Sequence, residues 1–379
     1  MTKKIRVGLI FGGRSGEHEV SLASAVSVYN ALDKSRYEVT LIAIDKDGRW
    51  LLPNVTHLLA QAENPMLVKL SKTSGSYSLV PYPSQNQMVA VDSPPAPSFQ
   101  VDVMLPILHG TYGEDGTIQG LLELAQIPYA GSGVLGSAIG MDKDVSNRLL
   151  MAAGIATVPT LCIRKNDYVA DPEALRAKVI NKFRFPFFVK PANAGSSVGV
   201  HKVKSAEQLP AALEDAFSFD LKVLVQEGIS ARELEVAVLG NDQPKASVVG
   251  EIIPRHEFYS YEAKYIDENG ADLAIPATDV PKPVMEQART WACEAFKVLE
   301  CRGMARVDFF LDRVTKKLYL NEINTIPGFT KISMYPKLWE ASGIGYSELL
   351  DELIKLALAH HDQRHALKTS YDVKDWKKD

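Results

Sequence analysis

Cysteine is scarce in this chain: Cys162, Cys293 and Cys301 are the only three in 379 residues. An odd number, at spacings that fit no zinc or disulfide pattern, excludes a disulfide-stapled scaffold and favours buried thiols in a reducing compartment. Charge of one sign is also lacking. A formal net charge of −4 gives no electrostatic case for nucleic acid or an anionic membrane as a partner. No apolar run approaches the roughly 20 residues of a membrane span. After Lys3, Lys4 and Arg6, the stretch Val7 to Phe11 is too short for a signal-peptide core and reads as a strand. Together these absences lead to the expectation of a cytoplasmic protein. There is no G-x-x-x-x-G-K-[ST], so any ATP site is not of the P-loop kind. Repeats and low-complexity tracts are absent too.

Apolar residues are not lacking. Hydrophobic content of 46% can fill the cores of the two or three domains that this length suggests, at about 100–200 residues each. The most informative stretch runs from Met304 to Tyr335. Ala305 to Leu311 alternates apolar and polar residues, Asp312 and Arg313 make a turn, and Lys317 to Ile323 returns, which is a hairpin pattern. It puts Asp308 on one strand and Glu322 and Asn324 at the end of the other. Carboxylate and amide oxygens are hard ligands that suit Mg²⁺, which shares them readily with phosphate. Arg306, two residues before Asp308, lies on the same strand face. The Pro327-Gly328 turn offers free backbone N–H groups nearby. Cations, an arginine and free amides together describe a site that handles phosphoryl charge.

Upstream, residues 5–11 form a buried-strand pattern, Gly12 to Gly16 a glycine loop, and Glu17 to Leu32 an amphipathic helix. With the strand Tyr37 to Asp45 this is the first unit of a doubly wound sheet. Ligands bind where such strands end, which makes Glu17 and His18 candidate contacts. Residues 51–100 carry Pro and Ser clusters and are expected to decorate the surface. Val101 to Leu108 is a further strand, leading into the glycine-rich loop His109 to Gly116 and a helix from Thr117 to Ala125. Gly131 to Gly136 fits G-x-G-x-x-G, but no strand-ending acid follows about 20 residues on, so it is not read as a dinucleotide fingerprint. A helix is expected over Lys143 to Ala153. Lys190 ends a strand before the Gly/Ser loop Ala192 to Val200, whose amides can close over phosphates. A strand over Lys222 to Gln226, a short loop over Glu227 to Arg232 and a strand from Glu233 follow. Residues 254–278 are long, polar and aperiodic, as functional lids often are, with Tyr261, Lys264 and Tyr265 as hydrogen-bonding tips.

These pieces form a set. IFGGRSGEHEVSLAS (10–24), LHGTYGEDGTIQG (108–120), GMDKDVSNRLL (140–150), FVKPANAGSSVGV (188–200), YEAKY (261–265), ARVDFF (305–310) and NEINTIPGFT (321–330) occur in the right order, and the chain apart from its C-terminal tail resembles the D-alanine–D-alanine ligases of the ATP-grasp superfamily. The resemblance implies a mixed α/β and α+β chain: an ATP-grasp fold with an N-terminal Rossmann-like (pre-ATP-grasp) domain. The domains would be 1–141, a central lobe 142–233 and a C-terminal lobe 234–379. It implies ATP and two Mg²⁺ (or Mn²⁺) as cofactors, D-alanine as substrate, a homodimer, and a place in peptidoglycan synthesis, cell-wall biogenesis and cell shape. By the same resemblance Lys143, Lys190 and Ser197 would hold phosphates, Glu233 the ribose, and Phe258 and Phe310 would line the ATP site. The metals would be held by Asp308, Glu322 and Asn324. Glu17 would take the ammonium of the first D-alanine and His109 would help position it. Ser196 and Tyr265, linked to Glu17, would fix the lid. Arg306 and the Gly328 N–H would stabilise the tetrahedral oxyanion, and Lys264 and Ser333 would take the second carboxylate. Where relatives tend to open the hinge with glutamate, this chain reads Gln226-Glu227. The adenine amine is therefore expected at the Gln226 amide oxygen, or at Glu227 in a shifted register.

Among alternatives, a D-alanine–D-lactate ligase is expected to carry a different lid, commonly with histidine near Tyr265, and YEAKY argues for the dipeptide product. HGTYGEDG and EHEVS argue against an ATP-grasp ligase with another acid and amine. A nucleotide-binding regulator without chemistry would be expected to lose Arg306 or a metal ligand, and none is lost. An oxidoreductase rests only on GSGVLG.

Overall fold

The structure is a computed structural model that describes residues 3–53, 76–85, 87–91, 99–255 and 271–368. Strands β1 (Ile5–Gly12), β2 (Tyr37–Ile44), β3 (Trp50–Leu51), β4 (Tyr77–Leu79), β5 (Met88–Ala90) and β6 (Val103–Leu108) form one sheet in the order β5-β4-β3-β2-β1-β6. β1 pairs in parallel with β2 and β6, and Val7, Leu9, Ile10 and Phe11 are fully buried, as the continuous apolar run requires. The expected loop and helix follow β1, the helix spanning His18–Ala31. The expectation that residues 51–100 only decorate the surface is corrected: among the described residues, β3, β4 and β5 extend the sheet with antiparallel pairings. Strands of two or three residues are too short for alternation to register, and burial of Leu51, Leu79 and Met88 holds them instead.

The second sheet contains β7 (Thr160–Arg164), β8 (Phe187–Pro191), β9 (His201–Val203) and β10 (Lys222–Glu227), antiparallel in the order β7-β10-β8-β9. The third contains β11 (Ala231–Gly240), β12 (Lys245–Pro254), β13 (Ala271–Ala274), β14 (Gly303–Asp312) and β15 (Leu318–Asn324), in the order β13-β12-β11-β14-β15. The loop expected over Glu227 to Arg232 is shorter than its sequence suggests. Glu227 completes β10 and Ala231 opens β11, so residue 233 falls inside a strand. The chain's end returns to its beginning. Leu349, Leu350, Leu353 and Ile354 of the helix Tyr346–His365 share one buried core with Val7, Leu9, Phe11 and Leu105 of the first sheet. No helix among the described residues is long and apolar enough to cross a membrane.

The GSGVLG motif proves to be a packing device. Gly136 lies in the helix Val134–Met141, and a Cβ there would sit 2.3 Å from the Glu300 carbonyl oxygen. Gly303, at φ +71°, crowds the Gly131 backbone in the same way. Gly136→Ala gains about 1 kcal/mol of helix propensity. Overpacking costs about 1–3 kcal/mol, and a backbone oxygen cannot swing aside as a side chain can. The expected net loss is about 1–2 kcal/mol, read as a lower denaturant midpoint. An unchanged midpoint would show that the 299–303 turn yields freely.

Candidate active site

β14 and β15 pair so that Asp308 faces Glu322 and Arg306 faces Asn324 across the strands, while Glu235 of β11 faces Asp308 on the other side. The hairpin runs 303–312 and 318–324, slightly longer than its alternation indicates. Arg306 and Asp308 do share a face. The guanidinium donates to both Asp308 oxygens, from Nε at 2.7 Å and Nη2 at 2.8 Å, and its Nε lies 3.0 Å from Glu235 Oε2. Burial alone would lower the Arg306 pKa, but Asp308, Glu235 and Glu322 outweigh it and raise it, so the guanidinium is permanently charged. Asn324 Nδ2 donates to Asp308 Oδ2 at 3.0 Å.

Opposite this hairpin stands the second sheet with its lysines. Lys143, first residue of the helix Lys143–Ala152, lies 3.3 Å from Glu322 and donates to the Ala194 carbonyl at 2.8 Å. Lys190 of β8 is buried, which pulls its pKa down to about 8 against the attraction of Glu322. Its Nζ donates to Gln226 Oε1 at 2.9 Å. The Gln226 oxygen, a candidate for the adenine amine, is thus engaged in orienting a lysine, and Glu227 beside it is exposed. Glu233 and Phe310 face each other across β11 and β14, both half-buried. Ser196 and Ser197 take positive φ values of 49° and 60° in the loop after β8. Asp220 pins that loop by accepting from the Asn193 backbone and side-chain nitrogens at 2.8 and 2.9 Å. The cleft between the sheets is lined by Lys143, Gly195, Glu322 and Asn324, together with Glu114.

Asp308, Glu322 and Asn324 offer hard oxygens side by side, and the cations Arg306 and Lys143 already gather on the two carboxylates. That donor chemistry fits a divalent cation that completes its shell from phosphate. Among the described residues no three His, Cys, Asp or Glu side chains gather as a metal centre.

At the other end of the cleft, Glu17 sits at the start of the helix His18–Ala31 and accepts from Ser196 Oγ. Backbone walls in its carboxylate: a Cβ on Gly110 or Gly195 would lie 2.6 or 2.7 Å from Glu17 Oε2. His18, the other candidate there, turns away from the cleft and its Nδ1 meets the Gly13 carbonyl at 2.8 Å. His109 is buried, which lowers its pKa and keeps it neutral. Both ring nitrogens have protein partners, Ile326 O at 3.0 Å and Ser24 Oγ at 3.4 Å. Gly328 lies against Ser333, whose hydroxyl accepts from the Thr330 N–H at 3.0 Å. Phe258, Lys264 and Tyr265, with the heart of the expected lid, lie outside the described residues.

Two acids were not singled out by sequence. Glu235 is visible only as the second acid of the strand Ala231–Gly240. Glu114 is one of two acids in HGTYGEDG, and nothing local tells them apart. In the structure it is half-buried at the edge of the cleft, and desolvation followed by repulsion from Glu17 pushes its pKa up to about 8.

Comparison with known proteins bears on this geometry. The family descriptions "D-ala D-ala ligase N-terminus" and "D-ala D-ala ligase C-terminus" match residues 6–132 and 149–355. The D-alanine–D-alanine ligase of Shouchella clausii is 50% identical over 98% of this chain and 99% of its own length. D-alanine–D-alanine ligase A of Escherichia coli K12 is 49% identical over 97% of this chain and 100% of its own. Among solved structures, the D-alanine–D-alanine ligase of Coxiella burnetii superposes with a TM-score of 0.85 at 36% identity, covering 99% of this chain and 100% of that one. VanG D-Ala:D-Ser ligase of Enterococcus faecalis gives 0.81 at 33% identity, covering 94% and 100%.

Proposed function

Because the chain belongs to the D-alanine–D-alanine ligase family, we infer that it is an ATP-dependent ligase joining two D-alanines for peptidoglycan precursor synthesis. The observation that carries the reading is the contact between Glu17 and Ser196. It sets a carboxylate suited to an amino-acid ammonium against the loop suited to phosphates. An amino acid held there presents its own carboxylate to a phosphoryl group.

In the first step, a carboxylate oxygen of one D-alanine attacks the γ-phosphorus of ATP, the bond to the β-phosphate oxygen breaks, and ADP leaves an acyl phosphate. In the second, the amine of another D-alanine attacks the acyl carbon. The tetrahedral intermediate collapses, phosphate departs, and the amine gives up its proton. Both steps need charge neutralised and water kept out. Lys143, Lys190 and the Ser197 loop hold phosphates, with Gln226 aiming Lys190; Glu233 takes the ribose, and Phe310 lines the same site. Glu17 holds the first ammonium and Ser196 fixes Glu17. Arg306 and the Gly328 N–H face the developing oxyanion, and Ser333 takes the second carboxylate. His109 serves the first substrate site, while Lys264, Tyr265 and Phe258 would act from the lid. Asp308, Glu322 and Asn324 would hold two Mg²⁺ or Mn²⁺, which when bound neutralise phosphate charge. A cytoplasmic homodimer completes the reading.

The test is phosphate release from ATP with D-alanine, L-alanine, or D-alanine plus D-lactate, with products identified by mass. Release requiring a divalent cation and D-alanine, with the dipeptide as product, is expected. Depsipeptide at neutral pH would move the reading to a lactate-type ligase. No release from a folded, ATP-binding protein would mean that the substrate is wrong.

A further inference from the structure

The four residues Ile326 to Phe329 are gripped at four backbone points, and at three of them the gripping side chain comes from the N-terminal portion of the chain. The Ile326 N–H donates to Glu114 Oε1 at 3.1 Å. The Ile326 carbonyl meets His109 Nδ1 at 3.0 Å. The Phe329 N–H donates to Ser24 Oγ at 3.3 Å. The proton assignments are mutually consistent. A neutral His109 that donates from Nδ1 leaves Nε2 as an acceptor, so the Ser24 hydroxyl donates to Nε2 and its oxygen remains open to the Phe329 N–H. Glu114 spends its second oxygen on the Gly110 N–H at 2.8 Å, which ties the loop bearing His109 into the same unit. On the far side Tyr346 donates to the Phe329 carbonyl. Gly328 sits between the gripped residues, and its own N–H is in none of these bonds.

We propose that Glu114 and Ser24, with His109, are positioning residues: a clasp through which the N-terminal domain sets the Gly328 N–H against the acyl oxygen of the first substrate. The proposal rests on the reading of Gly328 as an oxyanion donor and goes beyond it, by saying what aims the donor. Packing alone does not call for the arrangement. Burying a carboxyl, an imidazole and a hydroxyl is costly unless each is satisfied, and apolar residues in their place would strand the buried Ile326 and Phe329 backbone groups instead. What the polar groups add is direction. Glu17, which holds the first substrate, abuts Gly110. The substrate pocket and the oxyanion loop, about 200 residues apart in sequence, therefore share one hydrogen-bonded frame.

Because the oxyanion forms in the second step, the clasp acts on that step. In Ser24→Ala and in Glu114→Gln, formation of D-alanyl phosphate, trapped with hydroxylamine as the hydroxamate, is expected to stay within about twofold of the parent. Dipeptide formation is expected to fall about tenfold to a hundredfold, so that more ATP is consumed per dipeptide. Ser21→Ala, which removes another buried hydroxyl of the same helix that bonds the Gly12 N–H and the Ile107 carbonyl, is expected to lower the melting temperature and leave this partition unchanged. Glu114→Gln keeps the volume of the side chain and serves as the test should the Ser24 variant not fold. If both steps fall together with stability, or the partition stays at the parental value, the clasp is refuted. Gly328→Pro separates the two layers. A normal second step there would overturn the oxyanion reading itself, whereas a collapsed second step alongside an unchanged partition in the Ser24 and Glu114 variants would overturn only the clasp.

Discussion

Arg306→Met is expected to lower turnover about a thousandfold and to cost about 3–5 kcal/mol of stability. The two losses have one origin. Arg306, half-buried, lies between Asp308 and Glu235, whose side chains are the more deeply enclosed, at 2.7 and 3.0 Å. Methionine matches its stem in bulk but leaves two carboxylates facing each other without a cation. Breaking a buried ion pair from one side is far more costly than never forming it, because the stranded charge has no water to turn to. The sign of the pH dependence follows. The stranded carboxylates have folded pKa values above their unfolded ones, so they bind protons more tightly in the folded state, and the stability deficit grows as pH rises above the carboxylate range. Denaturant titration at acid and neutral pH, with steady-state rates, measures both effects. A variant within about tenfold of parental turnover would remove Arg306 from the chemistry, since losing one oxyanion donor already costs more than that.

Glu322→Gln is expected to leave the fold intact and lower turnover at least about a hundredfold. Its side chain is 25% exposed and Lys143, with which it pairs, keeps the Ala194 carbonyl as a second acceptor, so little stability rides on the charge. The oxygen it loses is the one placed between the lysines and Asp308. Turnover across a Mg²⁺ titration is the measurement, and the apparent affinity for the cation should weaken alongside the rate. Near-normal turnover at saturating Mg²⁺ would sink the assignment of Glu322 as a metal ligand.

The elements that sequence made legible are those whose signal is local. The hairpin bearing Arg306, Asp308, Glu322 and Asn324 is written in period-two alternation, and β1 and the helix His18–Ala31 in an apolar run, a glycine loop and a change of period. What was hidden depends on distant partners. Ser24 reads as one more small residue on a buried helix face, and only the arrival of Phe329 and His109 gives it a task. Glu114 and Asp115 are adjacent, half-buried acids, yet one reaches the distant Ile326 N–H and the other bonds only its own loop, at the Tyr112 and Thr117 N–H groups. His18 had the composition of a ligand contact but is used to hold the Gly13 carbonyl. β3 to β5 escaped because two or three residues carry no period at all.

The last helix gives the chain the topology of a belt closed on itself. Leu349, Leu353 and Ile354 fill a core whose other wall is β1 and β6. The first sheet is thus covered in part by a helix far along the chain from its own strands. A fragment cut at the expected boundary near residue 141 would expose a leucine-lined groove shaped for a helix it no longer owns. The loop Ile326 to Phe329 hangs from the same closure, since Tyr346, which opens that helix, bonds the Phe329 carbonyl.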